Sequence, residues 1–119
     1  MKYIEYFPSD KILHRSNPMF RNKILSEGLI VKGKSDAWLS DTAIDKPCIF
    51  ASDTLNINEL FDSGYDDDIY EIDLRNLKNK WFKDPNFIYF KNSVHIITFE
   101  NIPRKYIKLI YKGTGESLD

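Results

Sequence analysis

Apolar and polar positions alternate most cleanly over Ile69-Tyr70-Glu71-Ile72-Asp73-Leu74, with Tyr70, Ile72 and Leu74 on one side and Glu71 and Asp73 on the other. A period of two marks a half-buried strand. Val94 to Phe99 and Ile107 to Tyr111 predict two more strands, joined through a single helical turn at Ile102-Pro103-Arg104-Lys105-Tyr106. Near the start, Tyr3 to Phe7 alternates weakly until Pro8, and Lys11 to His14 predicts a short strand that His14 closes. The period then becomes helical. Asn17 serves as N-cap, Pro18 takes the first helical position, Phe20, Ile24 and Leu25 make one apolar face, and Gly28 stops the helix. Leu29 to Val31 resumes an extended path.

Lys32 to Lys46 follows as a long polar connection carrying Trp38, and connections of that length in a compact domain are often functional. Pro47 introduces Cys48-Ile49-Phe50-Ala51, an apolar run typical of a buried strand, and Ser52-Asp53-Thr54 offers the cap of a second helix reaching Leu60 and Phe61. Leu77 to Phe82 is basic and irregular, and Asp84-Pro85-Asn86 marks a turn before Phe87-Ile88-Tyr89-Phe90. Helices in the first half and mostly strands in the second predict an α+β domain with a mixed or antiparallel sheet and two short helices. Residues 1–112 are expected to form a single domain and 113–119 a flexible tail.

The composition agrees with one core. The chain has 119 residues, 42% hydrophobic and 29% charged, and its 14% aromatic content includes Trp38, Trp81, Phe50, Phe90 and Phe99 as core candidates. Cys48 is the single cysteine, which excludes an internal disulfide and reads as a buried, unreactive thiol. A net charge of −1 gives no overall steering toward nucleic acid or anionic lipid. Locally, Lys78, Lys80, Lys83, Arg104, Lys105, Lys108 and Lys112 crowd the C-terminal half, a solvated face in the plain reading and a nucleic-acid groove in the sharper one. Met1 to Glu5 has neither the basic start nor the apolar stretch of a signal peptide, and no apolar run approaches the roughly 20 residues that span a bilayer. The expectation is a cytoplasmic domain with no membrane partner.

Several chemistries lack their residues. One cysteine and two distant histidines supply no zinc ligand set, and Asp66-Asp67-Asp68 lacks the glycine and terminal glutamate of a calcium loop. The five glycines do not cluster into a phosphate-binding fingerprint.

The order of the segments carries more. Ile12-Leu13-His14-Arg15-Ser16 followed by Ile24-Leu25-Ser26-Glu27-Gly28-Leu29 resembles the opening of the ADP-ribosyltransferase fold, where a strand ends in His and a small hydroxyl residue and a helix closing on Gly-Leu comes next. Cys48 to Asp53 resembles its second block, Ile69 to Leu74 its following strand, and Val94 to Ile107, with Ile102-Pro103 and Tyr106-Ile107, its closing strand, a likeness extending to the RNA 2′-phosphotransferases. The resemblance implies an ADP-ribosyltransferase-like split sheet and NAD as substrate, with transfer of ADP-ribose to a protein or nucleic-acid acceptor through an oxocarbenium-like state. A catalytically inactive nucleotide- or protein-binding member of the same fold is the alternative.

The resemblance also implies roles. His14 would bond the adenosine-side ribose, with Arg15 beside it, Ser16 or Ser52 supporting the nicotinamide or its ribose, and Tyr65 or Tyr70 stacking. Many members carry a catalytic glutamate on the strand before the closing Ile-Pro. Here His95 stands where that acid is expected and Glu100 comes later, so these two are the catalytic candidates. The Arg-His-Arg-Arg quartet of the phosphotransferase branch is missing, since His14-Arg15 is reversed and the second block has neither residue type. Arg21, Arg75 and Arg104 remain as candidate anion ligands.

Overall fold

The computed structural model describes residues 3–31, 44, 46–85 and 94–118. Most of the Lys32 to Lys46 connection with Trp38, and the Phe87 to Phe90 run, lie outside the described residues. Seven strands form one sheet: β1 (Glu5–Tyr6), β2 (Lys11–Ser16), β3 (Ile49–Asp53), β4 (Asp68–Asp73), β5 (Trp81–Lys83), β6 (Val94–Thr98) and β7 (Ile107–Tyr111). Their order is β1-β5-β6-β3-β2-β4-β7, and each neighbouring pair is antiparallel. The α+β expectation holds at this level, with the sheet antiparallel throughout the described strands.

The alternating segments become β4, β6 and β7 almost as expected. β5 departs from expectation, because the Leu77 to Phe82 stretch has no strand pattern. Trp81 is nonetheless 3% exposed, and its strand lies between β1 at Tyr6↔Trp81 and β6 at Phe82↔Ile97. Cross-strand partners and the burial of one indole outweigh weak local preference.

α1 (Arg21–Glu27) is shorter than the expected helix. The Asn17 side chain accepts the Met19 N–H at 2.9 Å, but Pro18–Phe20 is a 3-10 turn. Ile24 is the buried residue of α1, while Phe20 and Leu25 are 49% and 43% exposed, so the expected apolar face narrows to one side chain. Gly28 ends the helix at φ +84°, and a Cβ there would collide with the Ile102 carbonyl oxygen. That closeness lets Leu29 and Ile102 exchange two backbone hydrogen bonds of 2.9 and 2.8 Å, which tie the end of α1 to the closing turn Arg104–Tyr106.

The second helix needs correction in cap and type. β3 runs through Asp53, opposite Val94, so Ser52 is mid-strand and caps nothing. The helical segment is 3-10, Ile57–Ser63, and its cap is Asn56, which accepts the Asn58 N–H at 3.1 Å. Pairing with β6 extends the strand past the point where local capping signals would end it.

Residues 113–118, within the expected flexible tail, make hydrogen bonds to residues 64–68. The Asp66 N–H bonds Glu116 O at 2.9 Å, and the Gly115 and Leu118 N–H groups bond Asp66 O and Gly64 O at 2.8 Å each. Gly113 N–H donates to Asp68 Oδ1 at 2.8 Å, and Thr114 donates to Asp66 through both its N–H and its hydroxyl. Backbone pairing and the carboxylates of the acidic run, rather than apolar burial, hold this segment, which hydrophobic patterning alone does not reveal.

Both faces of the sheet carry core. Ile12, Ala51, Tyr70, Ile72 and Ile96 pack with Ile24, Leu29 and Ile102, while Leu13 and Ile69 on the other face pack with Ile57, Leu60 and Phe61 of the 3-10 segment. β2 pairs with β4 from Lys11↔Asp73 to Ser16↔Asp68, and β3 pairs with β6 from Ile49↔Thr98 to Asp53↔Val94. Between these two halves, β2 and β3 meet in register at Leu13↔Ser52. This short register is the seam between the two halves of one continuous hydrogen-bonded sheet.

Candidate functional site

His14 lies at the seam. Its Nδ1 is 2.5 Å from the Phe50 carbonyl oxygen, so an imidazole from β2 bonds the β3 backbone just beyond the one registered pair. Burial pushes its pKa down to about 4; the Phe50 bond opposes this and the Arg15 charge adds to it. At neutral pH the ring is uncharged. A carbonyl accepts only, so Nδ1 carries the proton and Nε2 is an acceptor, suited to a hydroxyl donor. The ring also packs against Tyr70, with centroids 6.2 Å apart.

Strand alternation sorts the remaining candidates. His14 shares a face with Ile12 and Tyr70, whereas Ser52 and His95 are direct cross-strand partners on the face of Leu13. Ser52 is 8% exposed. His95 has its pKa lowered first by burial; Asp84 raises it, Arg15 lowers it and Glu59 raises it. Asp84 is 2% exposed and its N–H donates to the His95 carbonyl at 3.0 Å. Arg15, on this face with Leu13, reaches Asp67 at 3.4 Å. His95 is thus acted on by charges of both signs, from Arg15 of β2, Asp84 just past β5 and Glu59 of the 3-10 segment.

Other candidates lie apart from this pair. Ser16 is at the end of β2 opposite Asp68. Tyr70 is fully buried, and its hydroxyl donates to Asp68 Oδ2 at 3.4 Å. Burial, with the Asp68 charge and bond, pushes its pKa up to about 12, so it is a core tyrosine rather than a free stacking face. Tyr65 is 53% exposed and bridges to Ser117 in the C-terminal segment. Glu100 lies past the end of β6, where its Oε1 accepts the Lys80 N–H at 3.1 Å, and Asn79 bonds its carbonyl. Arg21 is engaged by Asp68 and Arg75 by Asp73, while Arg104 is exposed on the closing turn.

No family model, curated protein or solved structure matches this chain. The site's own geometry therefore carries its chemistry.

Glu59 is a residue that sequence reasoning missed. Its Oε2 is buried and has no hydrogen-bond partner. It stands three residues after the Asn56 cap, the spacing at which a glutamate normally folds back onto the cap N–H. Here the Thr54 hydroxyl accepts the Asn56 N–H at 3.0 Å, which leaves the Glu59 carboxylate without that role. The Asn-x-x-Glu spacing was a visible signal, but the competing threonine sets the outcome.

A recess of about 260 Å³ opens at the other end of β2 and β4, lined by Lys11, Lys105, Lys108, Glu71 and Asp73 among others. Its charges offset one another, with Lys11 3.7 Å from Glu71. None of the residues singled out by the ADP-ribosyltransferase resemblance lines it, whereas Lys105 and Lys108 of the basic C-terminal half do. Among the described residues, no group of three or more His, Cys, Asp or Glu is placed to hold a metal ion, and no helix is long and apolar enough to cross a membrane.

Proposed function

We propose that this chain binds NAD on the face of β2 and β3 that carries Ser52 and His95 and transfers ADP-ribose to a macromolecular acceptor, the activity that its resemblance to ADP-ribosyltransferases implies. The observation that carries the reading is the direct cross-strand pairing of Ser52 with His95, with Leu13 and Arg15 of β2 on the same face. Arg15 meets the pyrophosphate there. His14 projects from the other face of a sheet whose neighbouring strands are hydrogen-bonded, so it does not reach a ligand seated here. Ser52 and His95 take the nicotinamide ribose. Tyr65, Tyr70 and Glu100 have no part in this arrangement.

In the reaction the bond between C1′ and the nicotinamide nitrogen breaks, and nicotinamide leaves neutral with the bonding pair. The oxocarbenium-like ribosyl centre is then captured by an acceptor nucleophile, which loses a proton. The test is a thermal shift of the purified protein with NAD, together with nicotinamide release in the presence of cell lysate. A shift that Ser52→Ala abolishes supports the reading, and no shift with no release refutes it. A second reading, a binding protein without transferase activity, draws on Glu100 being engaged by the Lys80 N–H. It predicts an NAD shift without nicotinamide release.

A further inference from the structure

We propose that the recess at the far end of β2 and β4 is a binding site for single-stranded nucleic acid, held by its phosphodiester backbone. This surface lies apart from the residues of the NAD reading, and neither depends on the other. Two stretches of the chain carry basic residues and no acidic ones: 75–83, with Arg75, Lys78 and Lys80, and 104–112, with Arg104, Lys105 and Lys108. Folding brings them together. The Tyr106 hydroxyl donates to the Asn76 carbonyl at 3.3 Å, and the Asn79 amide donates to the carbonyls of Glu100 and Asn101 at 3.0 and 3.2 Å, just before the closing turn. All six of these cations are exposed.

Pairing within the protein leaves most of this charge uncompensated. Glu71 and Asp73, the carboxylates of the recess, are engaged by Lys11 at 3.7 Å and Arg75 at 2.6 Å. Glu100 accepts the Lys80 backbone N–H. Among the described residues, Lys78, Lys80, Arg104, Lys105 and Lys108 make no ion pair. Like charges gathered in this way repel one another and favour a ligand that brings several anions on one chain.

Register and shape select the ligand. Lys11 stands opposite Asp73 and Glu71 opposite Lys108, so these four side chains share one face of the sheet, and Lys105 of the closing turn borders the same recess of about 260 Å³. Lysine ammoniums meet phosphate oxygens as point charges, while the two carboxylates accept from the amines or sugar hydroxyls of the same nucleotide. An acidic peptide would instead set its carboxylates against Glu71 and Asp73. Tyr106 offers no stacking platform, because its hydroxyl is tied to Asn76 and the Lys105 ammonium stands 5.2 Å from its ring centroid. Binding is therefore through the backbone, with little preference among bases. A concavity of this size admits one flexible nucleotide, which a rigid duplex cannot lower into it.

Fluorescence anisotropy of the full chain with labelled oligodeoxythymidine and oligouridine tests this. With about four phosphates neutralised, affinity should fall roughly 50-fold between 50 and 200 mM salt. Lys105→Glu and Lys108→Glu should each weaken binding about tenfold at low salt and flatten that dependence. Lys23→Glu, the same charge change at an exposed position of α1, should alter affinity less than about threefold. The two recess lysines are separate exposed positions, so a lowered urea midpoint in one variant leaves the other to decide. Absent binding at low salt overturns the proposal, as does a loss in Lys23→Glu equal to that in the recess variants. Tighter binding of a duplex, or polyglutamate competing as well as an oligonucleotide, overturns the choice of ligand. Loss of the NAD thermal shift or of nicotinamide release bears on the other site alone.

Discussion

Asp68→Asn perturbs a buried carboxylate that accepts four hydrogen bonds. Asp68 is fully buried at the start of β4 and accepts Arg21 Nε at 2.8 Å, Arg21 Nη2 at 2.7 Å and the Gly113 N–H at 2.8 Å, with the Tyr70 hydroxyl more distant at 3.4 Å. One carboxylate thus joins the start of α1, the sheet and the C-terminal segment. Burial pushes its pKa up, but the Arg21 and Gly113 bonds, the Arg21 charge and Tyr70 outweigh that and hold it below the ordinary value. Asparagine keeps one acceptor oxygen and turns an amide against donors. Bonds to a charged group contribute about 1.5–3 kcal/mol each, and breaking a buried pair costs about 3–5 kcal/mol. Arg21 is 26% exposed and regains some hydration, which places the expected loss near 3 kcal/mol. In urea this appears as a lower midpoint with unchanged slope, and on heating as a drop of about 10 °C. Arg21→Met and the double variant complete a cycle with a coupling of about 2 kcal/mol. The deficit should persist from pH 7 to about 4 and shrink below that, as the wild-type carboxyl protonates through its depressed pKa and loses the same charge. A loss under about 1 kcal/mol at pH 7, or additive single variants, would refute the anchoring role.

Gly28→Ala forces a side chain into φ +84° and against the Ile102 and Arg104 backbone, which disrupts the Leu29–Ile102 exchange; a loss of about 3 kcal/mol is expected by urea melting, and a loss under about 1 would contradict the close approach. His14, held near a pKa of 4 in the fold, takes up a proton at about 6.5 when unfolded, so its contribution is intact above pH 6.5 and is lost as pH falls toward 4. Stability measured at pH 7.5, 5.5 and 4.5 should therefore fall more steeply in wild type than in His14→Gln, and parallel profiles would remove the buried neutral imidazole. Burial, with the Asp84 charge adding, pushes the Cys48 thiol up to about 12, leaving roughly one thiolate in ten thousand at pH 8. Iodoacetamide should accordingly label the native protein far more slowly than the urea-unfolded chain, and equal rates would count against the assignment.

Local pattern determined much of this molecule. The alternation of Ile69 to Leu74, Val94 to Phe99 and Ile107 to Tyr111 became β4, β6 and β7, because a strand's side-chain period is a property of its own backbone. Asn17, Pro18 and Gly28 bracketed the helical segment for the same reason, since caps and left-handed glycines act within a turn or two. Tertiary structure decided what depends on neighbours distant in sequence. β5 exists because β1 and β6 flank it, Ser52 is a strand residue because β6 pairs past it, and the C-terminal segment lies against the start of β4 because Asp66 and Asp68 receive its N–H groups. The site divides in the same way. His14 was legible as a strand-end imidazole, but its bond across the seam and its separation from Ser52 and His95 follow from inter-strand register, which no single strand encodes. The Asn56-x-x-Glu59 spacing was legible as a capping box, but the unpartnered, buried Glu59 oxygen follows from the Thr54 hydroxyl taking the cap N–H, which only the folded structure shows.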